Sequence, residues 1–465
     1  MEKDISRAME SVEKARPKAE QDPYRPKYHF LPPAQWMNDP NGTIFYKGEF
    51  HIFYQHNPNG TSWGHMHWGH AKSKDLVHWE HLPIALAPSK EKGEKHCFSG
   101  CCVINGDTPT IIYTKIGRIL QAIRGAEQWM ATSDDDMLTW KKFPGNPILT
   151  DKLHQDRKIY QWRDPYVWKE DDTWYMVLVG QHGLRERIGR AFLYRSKNLT
   201  EWEFLHELCK GTKAQGKGWE CPNFFPLGNK WVLMVSPYKP VIYSIGTYEN
   251  TEFKPGPWHV LDHGKVFYAT NTLVDAHGRL ILFGWIRRGG KEGWNGCLNL
   301  PRELSLDEQG NLIMDAIPEL KVLRNSYEHF ENVSISDEPT SSVSTLTGDI
   351  VEISAEFSLE DSQELGFKLS DAKKEYKISY NPMKNQITAV KQKGQLQSVE
   401  KSQPLSLHIF IDKSVIEVFI NKRESITARF YPVSKNKQEL RIIPFAHGTG
   451  LIKNLHFWRL NSINL

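Results

Sequence analysis

Between residues 28 and 300 the chain runs in short aromatic and β-branched stretches, such as Phe50-His-Ile-Phe-Tyr-Gln55, Trp174-Tyr-Met-Val-Leu-Val179 and Arg279-Leu-Ile-Leu-Phe-Gly-Trp285. Each is broken within a few positions by Gly, Asn, Asp or Pro. Stretches of that length between turn formers predict strands joined by hairpins, and little here repeats with a helical period. Beyond residue 330 the alternation of apolar and polar positions becomes strict, as in Ile350-Val-Glu-Ile-Ser-Ala-Glu-Phe357 and the run from Leu407 to Ile420. Several such runs separated by polar turns predict an antiparallel β-sandwich. Only the N-terminus reads differently: Ile5 to Glu20 suggests a short polar helix.

Two repeats organise the first part. Ser-x-(Asp/Asn)-Leu-x-x-Trp occurs at Ser73–Trp79 and Ser196–Trp202, with a copy one residue longer at Ser133–Trp140. The spacing of about 60 residues suits one propeller blade of four strands. Interleaved with it is an acid, a Pro and a hairpin: Asp39-Pro40, Asp164-Pro165 and Glu220-Cys221-Pro222. Phe98-Ser-Gly and Phe267-Tyr-Ala open similar hairpins without the acid. Five units follow, so the expected fold is all-β. It has a polar helical extension over 1–27, a five-bladed β-propeller over 28–305, a linker over 306–328 and a β-sandwich over 329–465.

Composition sharpens this division. Of the 16 Trp only Trp458 lies beyond Trp294, and all six Cys precede residue 298. A net charge of +4 on 465 residues implies no nucleic-acid partner. No stretch has the roughly 20 apolar residues that span a bilayer, so no membrane partner is expected. Six Cys outside any small disulfide framework, with no signal-like leader, suggest reduced thiols and a cytoplasmic protein.

The innermost strand of every propeller blade lines the central channel. If Asp39, Asp164 and Glu220 share one repeat position, three carboxylates converge at one mouth of that channel. Crowded like charges raise at least one pKa and so provide a proton donor near neutrality. Carboxylates flanking an acetal carry out glycoside hydrolysis. A single Asp-Pro reads more simply as a turn starter; three in register, each near a Trp (Trp36, Trp162, Trp219), point to a site where rings stack on a sugar. His65, His67 and His70 do not share one strand face, so no metal is expected. The Cys residues read as buried packing groups, and Arg287-Arg288 as solvated surface.

Trp36-Met-Asn-Asp-Pro-Asn-Gly42, Tyr54-Gln-His-Asn-Pro58, Trp68-Gly-His-Ala71, Phe98-Ser-Gly100, Arg163-Asp-Pro165, Trp219-Glu-Cys-Pro222 and Phe267-Tyr-Ala269 together closely resemble glycoside hydrolase family 32, the invertases, inulinases and levanases. The run Ile411 to Asn421 resembles that family's C-terminal module. The resemblance implies a propeller plus sandwich and a retaining reaction without cofactor on a small fructoside. In it Asp39 is the nucleophile at fructosyl C2, Glu220 the acid and then the base, and Asp164 with Arg163 the holder of the fructose hydroxyls. By the same resemblance Trp36, Asn38, Gln55, Trp63, Phe98, Ser99, Tyr268 and Trp285 line the fructose pocket. Cys101 stands where the family often has Ser, and His65 where Asn is usual. Competing readings are a fructosyltransferase using the same intermediate and a silent sugar-binding propeller, which the retention of all three acids disfavours. A phosphate on the aglycone needs cations nearby; Arg185, Arg187 and Arg190, after the Asp164 blade, could serve, but they read more simply as a solvated loop.

Overall fold

The computed structural model describes residues 2–463 except 155–157, 184, 290–291, 338–342, 344–345, 360–361, 372, 398, 400–402 and 433–438. Five sheets form the blades of a propeller. Their innermost strands are Gln35–Tyr46, His96–Asn105, Tyr160–Glu170, Glu220–Leu227 and Phe267–Val274. In each blade the next three strands follow in sequence order, paired antiparallel, as the hairpin pattern predicts. The cores lie between blades: Phe53, Trp68, Trp129 and Trp140 fill one such gap, and Val177, Trp219, Phe224 and Leu233 another. The ring closes where Trp294–Asn295, after the fifth blade's second strand, pairs in parallel with Gln35 and Trp36 of the first.

The Ser-x-(Asp/Asn)-Leu-x-x-Trp repeat is the turn between the third and fourth strands of the first three blades. The Asp75 carboxylate accepts from the amides of Val77 and His78, Leu76 takes φ 64°, and Trp79 Nε1 donates to the Leu76 carbonyl. Trp140 and Trp202 repeat the last bond onto Met137 and Leu199. Strand direction puts these turns at the end of the propeller away from the acids, so the repeat is architectural.

Two boundaries differ from expectation. Residues 306–316 are not a linker. Arg302–Leu306 and Leu312–Ala316 are the outer strands of the fifth blade, joined by a turn in which Asp307 accepts from the amides of Gln309 and Asn311. Each strand has only five residues, too few for its alternation of Leu304, Leu312 and Met314 to stand out. The sandwich begins at Arg324, the first residue of an edge strand in a six-stranded sheet that faces a five-stranded one across a separate apolar core. The N-terminal helix, Glu2–Glu20, is longer than expected and is no free extension. It buries Ala8, Val12 and Ala19, one apolar stripe at helical spacing, and Val12 joins the core that holds Trp79 of the first blade.

Candidate active site

Every innermost strand carries the same β-bulge near its start: two residues stand unpaired between Met37 and Pro40, Cys97 and Gly100, Arg163 and Tyr166, Glu220 and Asn223, Tyr268 and Asn271. This register corrects the expectation of one shared position. Glu220 precedes its bulge, Asp164 is the first residue of its own, and Asp39 is the second of its own. Met37, Cys97, Arg163, Glu220 and Tyr268 are therefore equivalent, and so are Asp39 and Ser99. Asp164, Cys221 and Ala269, all first bulge residues, take φ of 62°, 47° and 49°. A short polar side chain such as Asp tolerates that left-handed region. A bulge re-aims the side chains at its position, and here it turns the three acids toward one another.

Asp39 is surrounded by donors. Asn38 Nδ2 donates to Oδ1 at 3.0 Å, and Asn38 Oδ1 is itself held by Trp36 Nε1 at 2.7 Å. Ser99 Oγ donates to Oδ2 at 2.6 Å and the Cys221 thiol lies 3.5 Å from the same oxygen. Burial pushes the Asp39 carboxyl above its ordinary range; the Ser99 and Asn38 bonds oppose this and the charge of Glu220 adds to it. Burial also raises Cys221 well above the usual thiol range, so it remains a neutral donor.

Glu220 is held from both sides. Arg163 Nη2 donates to Oε1 at 2.7 Å and the Tyr268 hydroxyl to Oε2 at 2.7 Å. Asp164 accepts from the Cys221 amide at 2.9 Å, and its own amide donates to Thr114 Oγ1 at 2.9 Å. Burial raises the Asp164 carboxyl to about 7; Glu220 and Asp39 add to this, while Arg163 and the Cys221 amide oppose it. Three carboxylates in three distinct environments can thus divide acid, base and nucleophile roles among themselves.

The aromatic residues separate into two groups. Trp162 and Trp219 are buried to 2% and 1% exposure, so neither offers a sugar platform. Trp162 donates to Tyr194, and Trp219 packs so closely on Gly189 that a Cβ there would lie 2.3 Å from its ring. Trp36, Phe98 and Trp285 are only partly buried, and Trp63 is 45% exposed. Trp36 meets Trp285 edge to face at 5.7 Å; Trp63 stacks on His96 at 5.0 Å and approaches Phe98 at 6.1 Å. Gln55 is buried with its amide donating to the Cys97 carbonyl at 2.7 Å, a supporting position.

No pattern in the sequence points to Tyr238. Its hydroxyl meets Arg163 Nη2 at 2.5 Å and its amide donates to the Tyr268 hydroxyl at 2.9 Å, so it touches both partners of Glu220. It stands in a loop without a repeat copy, and no neighbouring motif signals it. Arg287 is not plain surface either: its guanidinium lies 3.7 Å from the Tyr268 ring centroid. Arg190 pairs with Glu186 and Glu207, whereas Arg185 and Arg187 are exposed. Among the described residues no group of His, Cys, Asp or Glu is arranged to hold a metal ion. His67 bonds to the His65 carbonyl and His70 to His51, and burial holds both below the usual histidine range. All six Cys are free and buried.

The model for the N-terminal domain of glycosyl hydrolases family 32 matches residues 29–316, and that for the family's C-terminal domain residues 319–459. The chain is 36% identical to sucrose-6-phosphate hydrolase of Zymomonas mobilis over 100% of its own length and 97% of that protein's. It is 31% identical to levanase of Bacillus subtilis over 95% of this chain and 71% of that one. Among solved structures, a mutant of the Bombyx mori family 32 β-fructofuranosidase in complex with sucrose superposes with a TM-score of 0.84 at 29% identity, covering 99% of both chains. Fructan 1-exohydrolase IIa of Cichorium intybus, in complex with 1-kestose, gives 0.81 at 26%, covering 95% of this chain and 98% of that one. The two matched domains, which together span residues 29–459, place this chain in glycoside hydrolase family 32.

Proposed function

We propose that Asp39, Asp164 and Glu220 divide the cleavage of a terminal β-fructofuranoside among them. The chain is a β-fructofuranosidase-type hydrolase. The observation that carries the reading is the convergence of the acids at one mouth: the Cys221 thiol lies 3.5 Å from Asp39 and 3.8 Å from Asp164, and Arg163 reaches Glu220 at 2.7 Å. The division of roles follows the family resemblance, and the donors Arg163 and Tyr268 favour the ionised Glu220 that acts as base in the second step. Asp39 attacks fructosyl C2 while Glu220 gives its proton to the glycosidic oxygen, and the bond to the leaving sugar breaks. Glu220, now a carboxylate, takes a proton from water, whose oxygen attacks C2 and releases fructose with its configuration retained and Asp39 free. Asp164 and Arg163 hold ring hydroxyls and favour the oxocarbenium-like transition state. The half-open rings of Trp36, Phe98 and Trp285 wall the pocket.

The substrates that fit best are glucose-ended fructosides, sucrose and its 6-phosphate. Relatives that this chain matches almost end to end are named sucrose-6-phosphate hydrolase. Among the described residues no helix is long and apolar enough to cross a membrane, and the buried free thiols suit a reducing cytoplasm. Initial rates on sucrose, sucrose 6-phosphate, inulin and levan, with product analysis at high sucrose, test the reading. Equimolar hexose products are expected from sucrose, and accumulation of longer oligosaccharides instead would make the chain a transferase. Asp39→Asn and Glu220→Gln should each lower turnover by roughly a thousandfold with the thermal transition retained; near-normal activity in either removes that residue from its role.

A further inference from the structure

The acid-bearing mouth and the opposite end of the propeller differ in charge. Because successive strands are antiparallel, the loops joining second to third strands lie at the mouth, over residues 58–66, 117–126, 182–183, 185–189, 237–241, 287–289 and 292–293. They carry Arg118, Arg124, Arg185, Arg187, Arg287 and Arg288. Their carboxylates are Glu186, paired with Arg190, and Glu292, 2.7 Å from Lys18. The turns at the far end hold Asp107, Asp134, Asp135, Asp136, Asp171 and Asp172 beside Lys47, Lys74 and Lys197. Among the described residues the arginines of these mouth loops have no ion pair, and such cations at the mouth draw anions.

One of these cations stands beside the chemistry. The Arg287 guanidinium carbon lies over the Tyr268 ring, 3.7 Å from its centroid, and 5.3 Å from the Trp285 centroid. The Tyr268 hydroxyl is on Glu220. Among the described residues the Arg287 side chain has no ion pair or hydrogen bond, and its Nε is buried without a partner. A guanidinium already immobilised by two rings, with its terminal nitrogens free, is pre-organised for bidentate contact with an oxyanion.

We infer that Arg287 recognises a phosphate on the leaving sugar, making it the specificity-determining residue for phosphorylated over plain glucosyl fructosides. The inference rests on the reading of Glu220 as the group that protonates the leaving sugar, since that places the aglycone beside Tyr268 and Arg287. The phosphate takes no part in bond breaking; it is held while the glycosidic bond to C2 breaks and the phosphorylated glucose leaves with the proton from Glu220.

The test measures kcat and KM on sucrose and on sucrose 6-phosphate, across a range of salt, for the wild type, Arg287→Met and Arg287→Lys. Met keeps an unbranched chain against Tyr268 without the charge. The wild type should favour the phosphorylated substrate, with kcat/KM falling as salt rises. Arg287→Met should lower the ratio of the two kcat/KM values by roughly tenfold or more, mainly through KM, and flatten the salt dependence. Arg287→Lys should recover part of the ratio. An equal loss on both substrates in Arg287→Met would make Arg287 only a prop for Tyr268 and overturn the inference. A wild type that cleaves sucrose but does not distinguish its phosphate overturns it while leaving the hydrolase reading intact; activity on neither removes both.

Discussion

Ser99 Oγ donates to Asp39 Oδ2 at 2.6 Å, although the two residues are 60 positions apart and belong to neighbouring blades. Both are the second residue of their blade's bulge, so repetition of one backbone irregularity brings a hydroxyl to a carboxylate. The bond favours the ionised form of Asp39, which burial disfavours. Ser99→Ala removes that support and should raise the Asp39 pKa further. A nucleophile must be ionised, so the acid limb of the kcat/KM profile should move to higher pH. Activity on the acid side should fall by roughly tenfold, with a smaller loss at neutral pH. A pH profile of the variant on sucrose checks this; an unmoved acid limb would remove Ser99 from the control of Asp39.

Asp164 is held at about 7, mainly by burial, which has a consequence for stability. A carboxyl whose folded pKa lies above its unfolded value binds more protons when folded, so stability falls as pH rises between the two values. The window runs from the ordinary carboxyl value of 3.8 to about 7. Asp164→Asn removes the titration. The variant should melt higher than the wild type above pH 7, and the difference should shrink toward pH 4. Its activity should fall by roughly a hundredfold or more. Thermal melts of both proteins across that range decide the matter, and a difference independent of pH would contradict the assignment.

Tyr238 links both partners of Glu220, Arg163 through its hydroxyl and Tyr268 through its amide. Tyr238→Phe removes the first link and keeps the second. It should lower kcat several-fold, less than Tyr268→Phe, which strips a donor from Glu220 itself. If Tyr238 acts through this shared arrangement, the double variant should lose less than the product of the two single losses. Independent, multiplying effects would assign Tyr238 another role.

The architecture was legible because a propeller repeats its local chemistry. Acid-Pro hairpins and Ser-x-Asp-Leu-x-x-Trp turns mark blades whatever lies between them. The three acids and Arg163 were legible through their Pro and Trp neighbours. The register of the bulge was not, because Asp39-Pro40 and Asp164-Pro165 look alike in one dimension while their bulges begin one residue apart. The exposure of the tryptophans was not legible either: Trp36 faces the site and Trp219 the core, yet both stand beside motif residues. Tyr238 and Arg287 act from loops that do not repeat, so only folding shows what they touch.

The sandwich is joined to the propeller by charge as well as by apolar contact. His29, fully buried, bonds through Nδ1 to Asp412 at 2.8 Å and through Nε2 to Glu417 at 3.0 Å. Arg302 of the fifth blade reaches Glu417 at 2.6 Å and Asp262 at 3.0 Å, all of them buried. With His29 protonated, two cations face three carboxylates; without its proton the buried excess of negative charge doubles. Burial alone lowers the His29 pKa, but the bonds and charges of Asp412 and Glu417 outweigh it and leave it raised. The stabilisation is therefore fully present below the ordinary histidine value of 6.5. It is lost as pH rises through the higher folded value. His29→Asn leaves both carboxylates short of a cation and should cost about 3 kcal/mol or more near pH 6. That cost should shrink in alkaline solution, where the wild type also loses the proton. Denaturant unfolding of both proteins at pH 6 and pH 9 measures the difference, and an equal destabilisation at the two values would show that His29 is held for its shape and not for its charge.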